Sequence, residues 1–564
     1  LVIFSDQDPD GAHIGGLVLN VIHALFPSLL ALDPAFVQRF PTPLVRLTDR
    51  GGRVTSFYAR APFEQWVATQ PADWTRRYTV KYYKGLGTST SALAREYFSA
   101  YRDSLVDIVW NQASDAIMVQ MFGGDNAASR RALLTDNYDP HAFVDYSAES
   151  VTYSDFVLKE VLPYSHYSNE RNIPSVMDGF KPVQRKALYT FLESNLTADV
   201  KVAQVAARIA ARTMYHHGEQ SLVETVVGMA QDHVGVSNVN LLRPEGQFGS
   251  RLDAPSVHSA ARYIFTGLDP VTRFLFPKAD DAVLTYCEDE GVRIEPTVFM
   301  PVIPMVLVNG AFGIGTGWST SVPMYDPLAL VSIMRAWLQA SGSEARTQVV
   351  QELCAPSVLM PWYDGFKGRV EYVEARNVYR THGVFSVDAP KGEIHITELP
   401  VGTWTHTYVE DVEKRLCPEP VRSIDKQWTD ANVDMVLHCD PAAVSPEDAL
   451  GDRLNMWSEV RVSNMHLYNA DGKLVHYKST ADIVLEYAPR RLALYETRRV
   501  NEVQVLEREL LVLQSKHKFV SALLSGALVL HRKTDAEVEA ALVALGVARG
   551  DDGSFDYLLN MSLK

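Results

Sequence analysis

Three aspartates stand close together near the start of the chain, directly after a short apolar run. The apolar residues 1–4 lead into the polar, turn-forming residues 5–11, which include Asp6, Asp8 and Asp10. This pattern is typical of a buried strand that ends at a site. In an extended segment alternating side chains emerge on one side, so the three carboxylates are expected to converge. Such a cluster favours Mg²⁺ or Mn²⁺ through hard oxygen ligands, and a solvated acidic loop is the alternative.

Two later stretches carry groups that could hold phosphate. Residues 84–90 read Lys-Gly-Leu-Gly-Thr-Ser-Thr and lie before a helical segment, so their backbone N–H groups either hold an anion or form a plain turn. Lys181, Arg185 and Lys186 fall on one side of a helix entered at Pro182. That face suits either phosphate contacts or exposure to solvent.

Further candidate residues lie in two loops. His216, His217 and Glu219 lack the i, i+4 spacing of a zinc-binding helix, which leaves a histidine close to DNA as the functional interpretation. Ile314 stands between two glycines, in a loop whose backbone can approach another molecule closely. Its large apolar side chain either packs back into the core or acts as a wedge.

The hydrophobic patterns predict the elements that position these groups. They indicate strands at 41–46, 54–58 and 76–83, helices within 91–100, 153–192, 203–212 and 221–233, and antiparallel sheet at 382–399. Arg262 and Tyr263 precede apolar residues and, taken alone, indicate a strand. Residues 481–525 form either one long helix or a short antiparallel coiled coil, which Pro489 is expected to kink or delimit.

Composition and charge narrow the class of protein. A chain of 564 residues has room for roughly three to five domains, and 47% hydrophobic with 21% charged residues is ordinary for a globular protein. No apolar run reaches the roughly 18 residues that span a bilayer, and no signal peptide is recognisable. The 4 scattered cysteines indicate a reducing, intracellular setting. The net charge of −15 excludes nucleic-acid binding through the whole surface, so any DNA contact must come from local basic patches.

A series of short motifs resembles the DNA breakage-reunion core of type IIA DNA topoisomerases, in the eukaryotic and large-DNA-virus single-chain form. The motifs lie at residues 5–14, 82–89, 173–182, 215–219, 246–249, 262–265, 307–311, 313–319, 463–467 and 555–559. None of them is specific alone. Their agreement in order over nearly the whole chain carries the resemblance.

The resemblance implies a multidomain α/β and α+β fold. Residues 1–147 are expected to form the later, metal-binding part of a toprim domain, and residues 148–324 a winged-helix domain with the nucleophile. Residues 325–454 correspond to a tower α/β domain. Residues 455–564 correspond to a C-terminal coiled coil with an exit gate, where two copies of the chain meet.

The resemblance also implies a reaction. Tyr263 is the expected nucleophile, although a tyrosine hydroxyl with a pKa near ~10 needs a group that accepts its proton. Arg262 and His217 are the expected transition-state stabilisers. Mg²⁺, or possibly Mn²⁺, on Asp6, Asp8 and Asp10 would stabilise the leaving 3′-oxygen. The product is a reversible 5′-phosphotyrosyl break in both strands.

Double-stranded DNA and a second copy of the chain are the implied partners, with no membrane. The expected DNA contacts are Lys84, Arg171, Lys181, Arg185, Lys186, Gln247 and Ile314, of which Ile314 inserts between base pairs. Tyr263 of one protomer would work with the acidic cluster of the other. The implied location is intracellular, in the nucleus or at a viral replication site.

Several departures from the family pattern stand out. The chain begins with Leu1 inside a core strand, so it is expected to be a fragment, with the first metal-binding glutamate and a Pro-Leu-Arg-Gly-Lys type motif upstream. ATP would enter only through a domain absent from this chain. The family's Gly-Gly-Lys segment and a following proline are replaced by Ala254, Pro255, Ser256 and Ala261, which removes a basic DNA contact.

Two other functions stay open on the sequence. A catalytically silent DNA-binding or dimerisation scaffold would need neither Tyr263 nor the aspartates. A toprim nuclease or primase would use the acidic cluster without a tyrosine. The second reading predicts that Tyr263→Phe still cuts DNA, and both are tested by trapping a covalent protein–DNA adduct.

Overall fold

The computed structural model describes residues 1–30, 32, 35–71, 73–83, 90–99, 101–289, 291–440, 447–531 and 533–561. Helices and strands alternate irregularly along the chain, and antiparallel pairing dominates its sheets. Within the described residues, no helix has the length and apolar character that crossing a bilayer would demand.

The N-terminal region is built on a four-stranded sheet. Its strands are β1 (Val2–Ile3), β2 (Val37–Arg39), β6 (Val106–Val109) and β7 (Ser150–Thr152), in the order β1-β2-β6-β7. Strands β1 and β2 are parallel, as are β6 and β7, whereas β2 and β6 are antiparallel. A second sheet, in the order β4-β3-β5, contains β3 (Val45–Asp49), β4 (Val54–Phe57) and β5 (Tyr78–Tyr82), as the sequence predicted.

Helices cover the N-terminal sheets. They are α1 (Pro9–Leu25), α2 (Arg60–Ala68), α3 (Ser91–Ser99), α4 (Gln112–Phe122) and α5 (Ala127–Asn137). Helix α1 packs tightly because Gly15 and Gly16 carry no side chain: a Cβ there would meet the ring of Phe156 and the methyl groups of Val161. This close packing places the start of α1 beside the next helical segment.

The middle region carries a helical cluster and a three-stranded sheet. Its helices are α6 (Tyr153–Phe156), a π-helical turn (Val157–Val161), α7 (Leu162–Asn172), α8 (Pro182–Glu193), α9 (Val202–Arg212), α10 (Glu219–Ala230), α11 (Thr272–Leu275) and α12 (Met305–Val308). Its strands are β8 (Val200–Lys201), β9 (Leu242–Glu245), β10 (Phe265–Leu268), β11 (Tyr286–Asp289), β12 (Val292–Pro296), β13 (Ala311–Ile314) and β14 (Ser319–Val322). Strands β8, β10 and β9 form an antiparallel sheet in that order, and β13 pairs with β14 as a hairpin.

The following region contains two further sheets. Its helices are α13 (Pro327–Gln339), α14 (Ser343–Leu353), α15 (Thr405–Leu416) and α16 (Glu447–Arg453). Its strands are β15 (Arg369–Val373), β16 (Val378–His382), β17 (Val384–Asp388), β18 (Glu393–Glu398), β19 (Val421–Lys426), β20 (Met435–Cys439) and β21 (Trp457–Arg461). The orders are β15-β16-β21 and β17-β18-β20-β19, so the antiparallel sheet predicted at 382–399 is confirmed.

A long helix dominates the C-terminal region. After the hairpin of β22 (Met465–Tyr468) and β23 (Leu474–Tyr477) come α17 (Thr480–Leu524), α18 (Asp535–Ala544) and α19 (Asp556–Leu559). Helix α17 has 45 residues and contains Pro489, so the proline does not delimit it. Its apolar residues Leu506 and Leu513 are exposed, which leaves a face open for a partner helix.

The largest hydrophobic core runs without a break from Val176 to Ala488. The predicted boundary between residues 324 and 325 falls inside this core, because Val322 and Tyr325 both belong to it. Smaller cores lie at the N-terminal sheets, at the sheet containing β18 and β20, and beyond Phe519. The four-domain division stays a prediction.

Candidate active site

The aspartate cluster occupies a loop and the first turn of α1. Asp8 is the N-cap, and its Oδ1 accepts a hydrogen bond of 2.7 Å from the backbone N–H of Gly11. Pro9 opens the helix and Asp10 lies in its first turn. The expectation of one extended segment was therefore wrong, because the N-cap and the proline turn the chain into a helix directly after Asp8.

The carboxylates nevertheless act on one another. Burial raises the pKa of Asp8, the Gly11 N–H lowers it in part, and the negative charges of Asp10 and Asp6 raise it further. A cation placed between these groups would relieve that repulsion, and carboxylate oxygens are the ligands that Mg²⁺ prefers. Across the described ranges, however, no three His, Cys, Asp or Glu side chains form a group that could hold a metal ion. The residues present fit an open Mg²⁺ site that would need further ligands from water or substrate.

Two side chains from the middle region reach Asp10. Nη1 of Arg171, on α7, lies 3.2 Å from Oδ1 of Asp10, although the two residues are 161 positions apart along the chain. Nδ1 of His217, in the loop between α9 and α10, lies 3.8 Å from Oδ2 of the same carboxylate. The fold thus brings Asp10, His217 and Arg171 together. A site built from two regions of the chain results.

His217 is held by a tyrosine that no sequence motif singled out. The hydroxyl of Tyr167, one helical turn before Arg171 on α7, lies 2.6 Å from Nε2 of His217. Burial lowers the pKa of His217, and the positive charge of Arg171 lowers it further, against the raising effect of Asp10. Only the i, i+4 spacing of Tyr167 and Arg171 could have pointed to this tyrosine.

Arg262 and Tyr263 lie in an exposed turn and not in a strand. Strand β10 begins two residues later, and the buried side chain of Ile264 anchors the turn in the core. The carbonyl of Ala261 accepts a hydrogen bond from the N–H of Ala203 at the start of α9. Tyr263 is 69% exposed.

The Tyr263 side chain is open to a large partner. The guanidinium carbon of Arg262 lies 5.3 Å from the centre of its ring. In the part of the chain that the structure describes, no hydrogen bond or ion pair joins Tyr263 to Asp8 or Asp10. The tyrosine and the acidic cluster of one chain are therefore separate features.

Ile314 ends the first strand of the β13–β14 hairpin. Its side chain is 66% exposed, so the interpretation that it packs back into the core was wrong. The side-chain amide of Asn169, on α7, donates a hydrogen bond of 3.1 Å to the carbonyl of Thr316. A Cβ on Gly315 would overlap with the side-chain oxygen of Asn169, so glycine is required at this close approach. The hairpin tip and α7 are thereby fixed together.

The predicted row of phosphate contacts on α8 needs correction. Helix α8 begins at Pro182 as expected, but Arg185 is buried and its Nε donates to Oδ2 of Asp178 at 2.8 Å. Nζ of Lys186 donates to Glu295 and to the carbonyl of Thr213, each at 2.9 Å. Both cations are committed to ion pairs that hold α8 in place, so the predicted DNA contacts were wrong for them.

Three other predicted contacts have different standings. Burial lowers the pKa of Lys181, which precedes α8 at its N-cap, so this ammonium lies in a partly dry position. Gln247 is exposed in the loop after β9. Lys84 and the rest of the predicted anion-binding loop, 84–89, lie outside the described residues.

Comparisons with known proteins agree with this architecture. Residues 171–564 match the family described as DNA gyrase/topoisomerase IV. Residues 40–169 match the C-terminal associated domain of TOPRIM. The two matches meet within α7, the helix that carries Tyr167, Asn169 and Arg171.

Relatives and a solved structure resemble the chain over nearly its whole length. DNA topoisomerase 2 of Arabidopsis thaliana is 38% identical over 95% of this chain and 36% of its own length. The mitochondrial DNA topoisomerase 2 of Dictyostelium discoideum is 36% identical over 95% of this chain and 41% of its own length. The crystal structure of the Plasmodium falciparum topoisomerase II DNA-binding, cleavage and re-ligation domain superposes with a TM-score of 0.80 and 34% identity, covering 100% of this chain and 78% of that one.

These matches confirm both the predicted resemblance and the predicted multidomain fold class. The chain belongs to the type IIA DNA topoisomerases, in the family described as DNA gyrase/topoisomerase IV. It spans roughly two-fifths or less of the length of the curated relatives named here.

Proposed function

We propose that this chain is the DNA-cleaving core of a type II DNA topoisomerase. The observation that carries the proposal is the pairing of an exposed Arg262–Tyr263 turn with a cluster of Asp10, His217 and Arg171. A nucleophile free to meet a large partner and a charged cluster built to hold phosphate are the two halves of a phosphoryl-transfer site.

The reaction exchanges one phosphodiester for another. The Tyr263 oxygen attacks phosphorus and loses its proton, the bond from phosphorus to the 3′-oxygen breaks, and the released 3′-oxygen takes up a proton. The 5′-phosphotyrosyl linkage keeps the phosphodiester energy, so the 3′-hydroxyl can attack it and reseal the strand. One such event on each strand gives a reversible double-strand break.

Each site residue has a role that follows from its position. The Arg262 guanidinium, beside the tyrosine ring, balances charge on the phosphoryl oxygens. His217 and Arg171 donate N–H groups to the phosphate beside Asp10. Asp6, Asp8 and Asp10 would hold Mg²⁺, with Mn²⁺ as a substitute, and the ion when bound supplies charge stabilisation at the leaving 3′-oxygen.

The DNA contacts surround this site. Lys181 and Gln247 are proposed to contact the backbone, and Lys84 is proposed to do so from outside the described residues. Ile314, exposed at the tip of its hairpin, would insert between base pairs and bend the duplex. Double-stranded DNA is therefore the proposed substrate.

We propose that two copies of the chain complete each other's site. Tyr263 is not bonded to Asp8 or Asp10 of its own chain in the described structure, which fits a tyrosine supplied across a dimer. The exposed apolar face of α17, with Leu506 and Leu513, suits a helical contact near the proposed exit gate.

The whole protein would use the break to pass one duplex through another. ATP would act through a domain outside this chain, in the nucleus or at a viral replication site inside a cell. The proposed division into toprim (1–147), winged-helix (148–324), tower (325–454) and coiled-coil (455–564) parts assigns cleavage to the first two.

Trapping a covalent adduct tests this proposal. Protein is mixed with an end-labelled duplex and Mg²⁺ and denatured rapidly, and an adduct is expected for the unchanged chain but not for Tyr263→Phe. Tyr495→Phe is the matched control, because Tyr495 is also exposed with an arginine against its ring, on α17. Absence of any adduct would favour the scaffold function, and cutting by Tyr263→Phe would favour the nuclease.

A further inference from the structure

Tyr167 touches both basic groups of the proposed site. Its hydroxyl lies 2.6 Å from Nε2 of His217, and the guanidinium carbon of Arg171 lies 5.2 Å from the centre of its ring. Within the described residues Tyr167 makes no hydrogen bond to Asp10, although both of its partners approach that carboxylate. It therefore stands behind His217 and Arg171, on the side away from the acidic cluster.

The hydrogen bond decides which nitrogen of His217 faces the site. Because the phenol occupies Nε2, Nδ1 is the nitrogen turned toward Asp10, at 3.8 Å from Oδ2. Tyr215 packs edge-on against the same imidazole, with ring centres 5.3 Å apart. The imidazole is thus held at one nitrogen by a hydroxyl and on its side by an aromatic ring.

We propose that Tyr167 is a positioning residue for DNA cleavage, whose hydroxyl donates to Nε2 of His217 and so directs Nδ1–H at the phosphate beside Asp10. This inference rests on the proposed function. A neutral imidazole carries one hydrogen, and when Nε2 accepts the phenol hydrogen, that hydrogen must sit on Nδ1. Without the hydroxyl, His217 could adopt the other tautomer and offer the phosphate an acceptor in place of a donor.

The aromatic ring has a second, separable effect. It supports the Arg171 guanidinium, which reaches Asp10 from the same helix. Tyr167→Phe keeps this ring and removes only the hydroxyl, so it tests the link to His217 alone. Tyr215→Phe is the matched control, because its hydroxyl bonds to Ser221 and not to His217.

The first measurement needs no DNA. Carbethoxylation of His217 by diethyl pyrocarbonate, followed by peptide mass spectrometry, reports how well Nε2 is protected. Tyr167→Phe should raise the modification rate of His217 severalfold, whereas Tyr215→Phe should not. An unchanged rate in Tyr167→Phe would overturn the hydrogen bond on which the inference depends.

The second measurement is the rate of adduct formation at saturating duplex, with the duplex dissociation constant measured separately by fluorescence anisotropy. Tyr167→Phe should slow cleavage roughly 10- to 100-fold, the range seen when a partner that orients a histidine is lost, with little change in affinity. In a His217→Ala background the same change should have almost no further effect, because its route is already gone.

The outcomes separate the two proposals. An active unchanged chain with an equally active Tyr167→Phe variant overturns the positioning role alone. Equal losses in the presence and absence of His217 would mean that Tyr167 acts through the fold, which also overturns it. An unchanged chain that forms no adduct overturns the proposed function, and the positioning role falls with it.

Discussion

Arg171 and Asp10 form an ion pair in which Nη1 of the guanidinium lies 3.2 Å from Oδ1 and 3.3 Å from Oδ2 of the carboxylate. The pair joins α7 to the first turn of α1. Asp10 is also a proposed metal ligand, so the arginine and a divalent ion compete for the same oxygens. Displacing the guanidinium from Asp10 is therefore part of the cost of binding the ion.

Arg171→Gln should for this reason bind divalent ions more tightly when no DNA is present. A partly exposed ion pair is worth up to about 1 kcal/mol, so the dissociation constant for Mn²⁺, measured by electron paramagnetic resonance, should fall about two- to fivefold. Arg212→Gln is the control, because it breaks a comparable ion pair with Glu193 elsewhere. Weaker Mn²⁺ binding by Arg171→Gln would show that the arginine supports the metal.

Asp8→Asn should abolish metal-dependent cleavage while preserving the fold and most of the DNA affinity. Asparagine caps a helix as well as aspartate does, so the bond to Gly11 can survive. Asp8→Ala should lose the same activity and about 1 kcal/mol of stability in addition. Adduct assays, anisotropy and urea unfolding measure the three quantities, and equal loss of cleavage and binding would contradict a metal role.

The same variant carries a pH signature. The pKa of Asp8 is raised in the folded chain, mainly by burial, so its charged form is disfavoured there. Its contribution to stability is present below the unfolded pKa and is lost as pH rises through the folded pKa. Unfolding at neutral pH should thus find Asp8→Asn at least as stable as the unchanged chain, with the difference vanishing in acid. A variant less stable at pH 7 than in acid, relative to the unchanged chain, would contradict this sign.

The sequence predicted elements better than it predicted which charged side chains are free. Strong periodicity and turn residues gave β3, β4, β5, α9 and α17, because local pattern dominates in long or sharply bounded elements. Helix α8 also began at its proline as expected. Its cations were misjudged because i, i+4 spacing cannot reveal Asp178 and Glu295, which tertiary packing supplies.

The candidate site had the same limit. The motifs around Asp10, His217 and Tyr263 were found from the sequence, since each lies in a polar interruption of an apolar pattern. Tyr167 was not, because a tyrosine in the middle of a helix gives no local signal. Its importance comes from a loop 50 residues away that only the folded chain places beside it.

Arg185 and Lys181 should separate stability from DNA binding. Arg185→Ala leaves the buried Asp178 carboxylate unpaired and should cost about 3–5 kcal/mol in urea unfolding. Lys181→Ala should leave stability nearly unchanged and weaken duplex binding, with a smaller dependence of affinity on salt. Anisotropy titrations at several salt concentrations measure the second effect. Loss of affinity in a folded Arg185 variant that exceeds the loss in the Lys181 variant would reverse the assignment.

Ile314→Ala should reduce DNA bending without destabilising the protein. The side chain is exposed, so its removal leaves no cavity, but the duplex loses the wedge that separates its base pairs. Fluorescence transfer between dyes at the two ends of a duplex measures the bend. Phe312→Ala is the matched control, because Phe312 lies on the same strand with the same 66% exposure. Equal effects of both changes would assign the bend to apolar area and not to Ile314.

Mixing two inactive variants should restore cleavage if the site is shared between protomers. In a heterodimer of Tyr263→Phe with Asp8→Asn, a shared arrangement pairs the intact tyrosine of one chain with the intact acidic cluster of the other. That pairing gives one working site, so single-strand breaks with covalent protein should appear, at up to half of the unchanged dimer's yield per strand.

If each chain instead used its own tyrosine and its own aspartates, both sites of that heterodimer would be defective and no adduct would form. A second heterodimer, in which one chain carries both substitutions and its partner carries none, makes the comparison sharper. It should be inactive under sharing, because each site then contains one altered group, and half active when each chain works alone. The two heterodimers thus give opposite results, and their order of activity decides which chain supplies the tyrosine that meets Asp8.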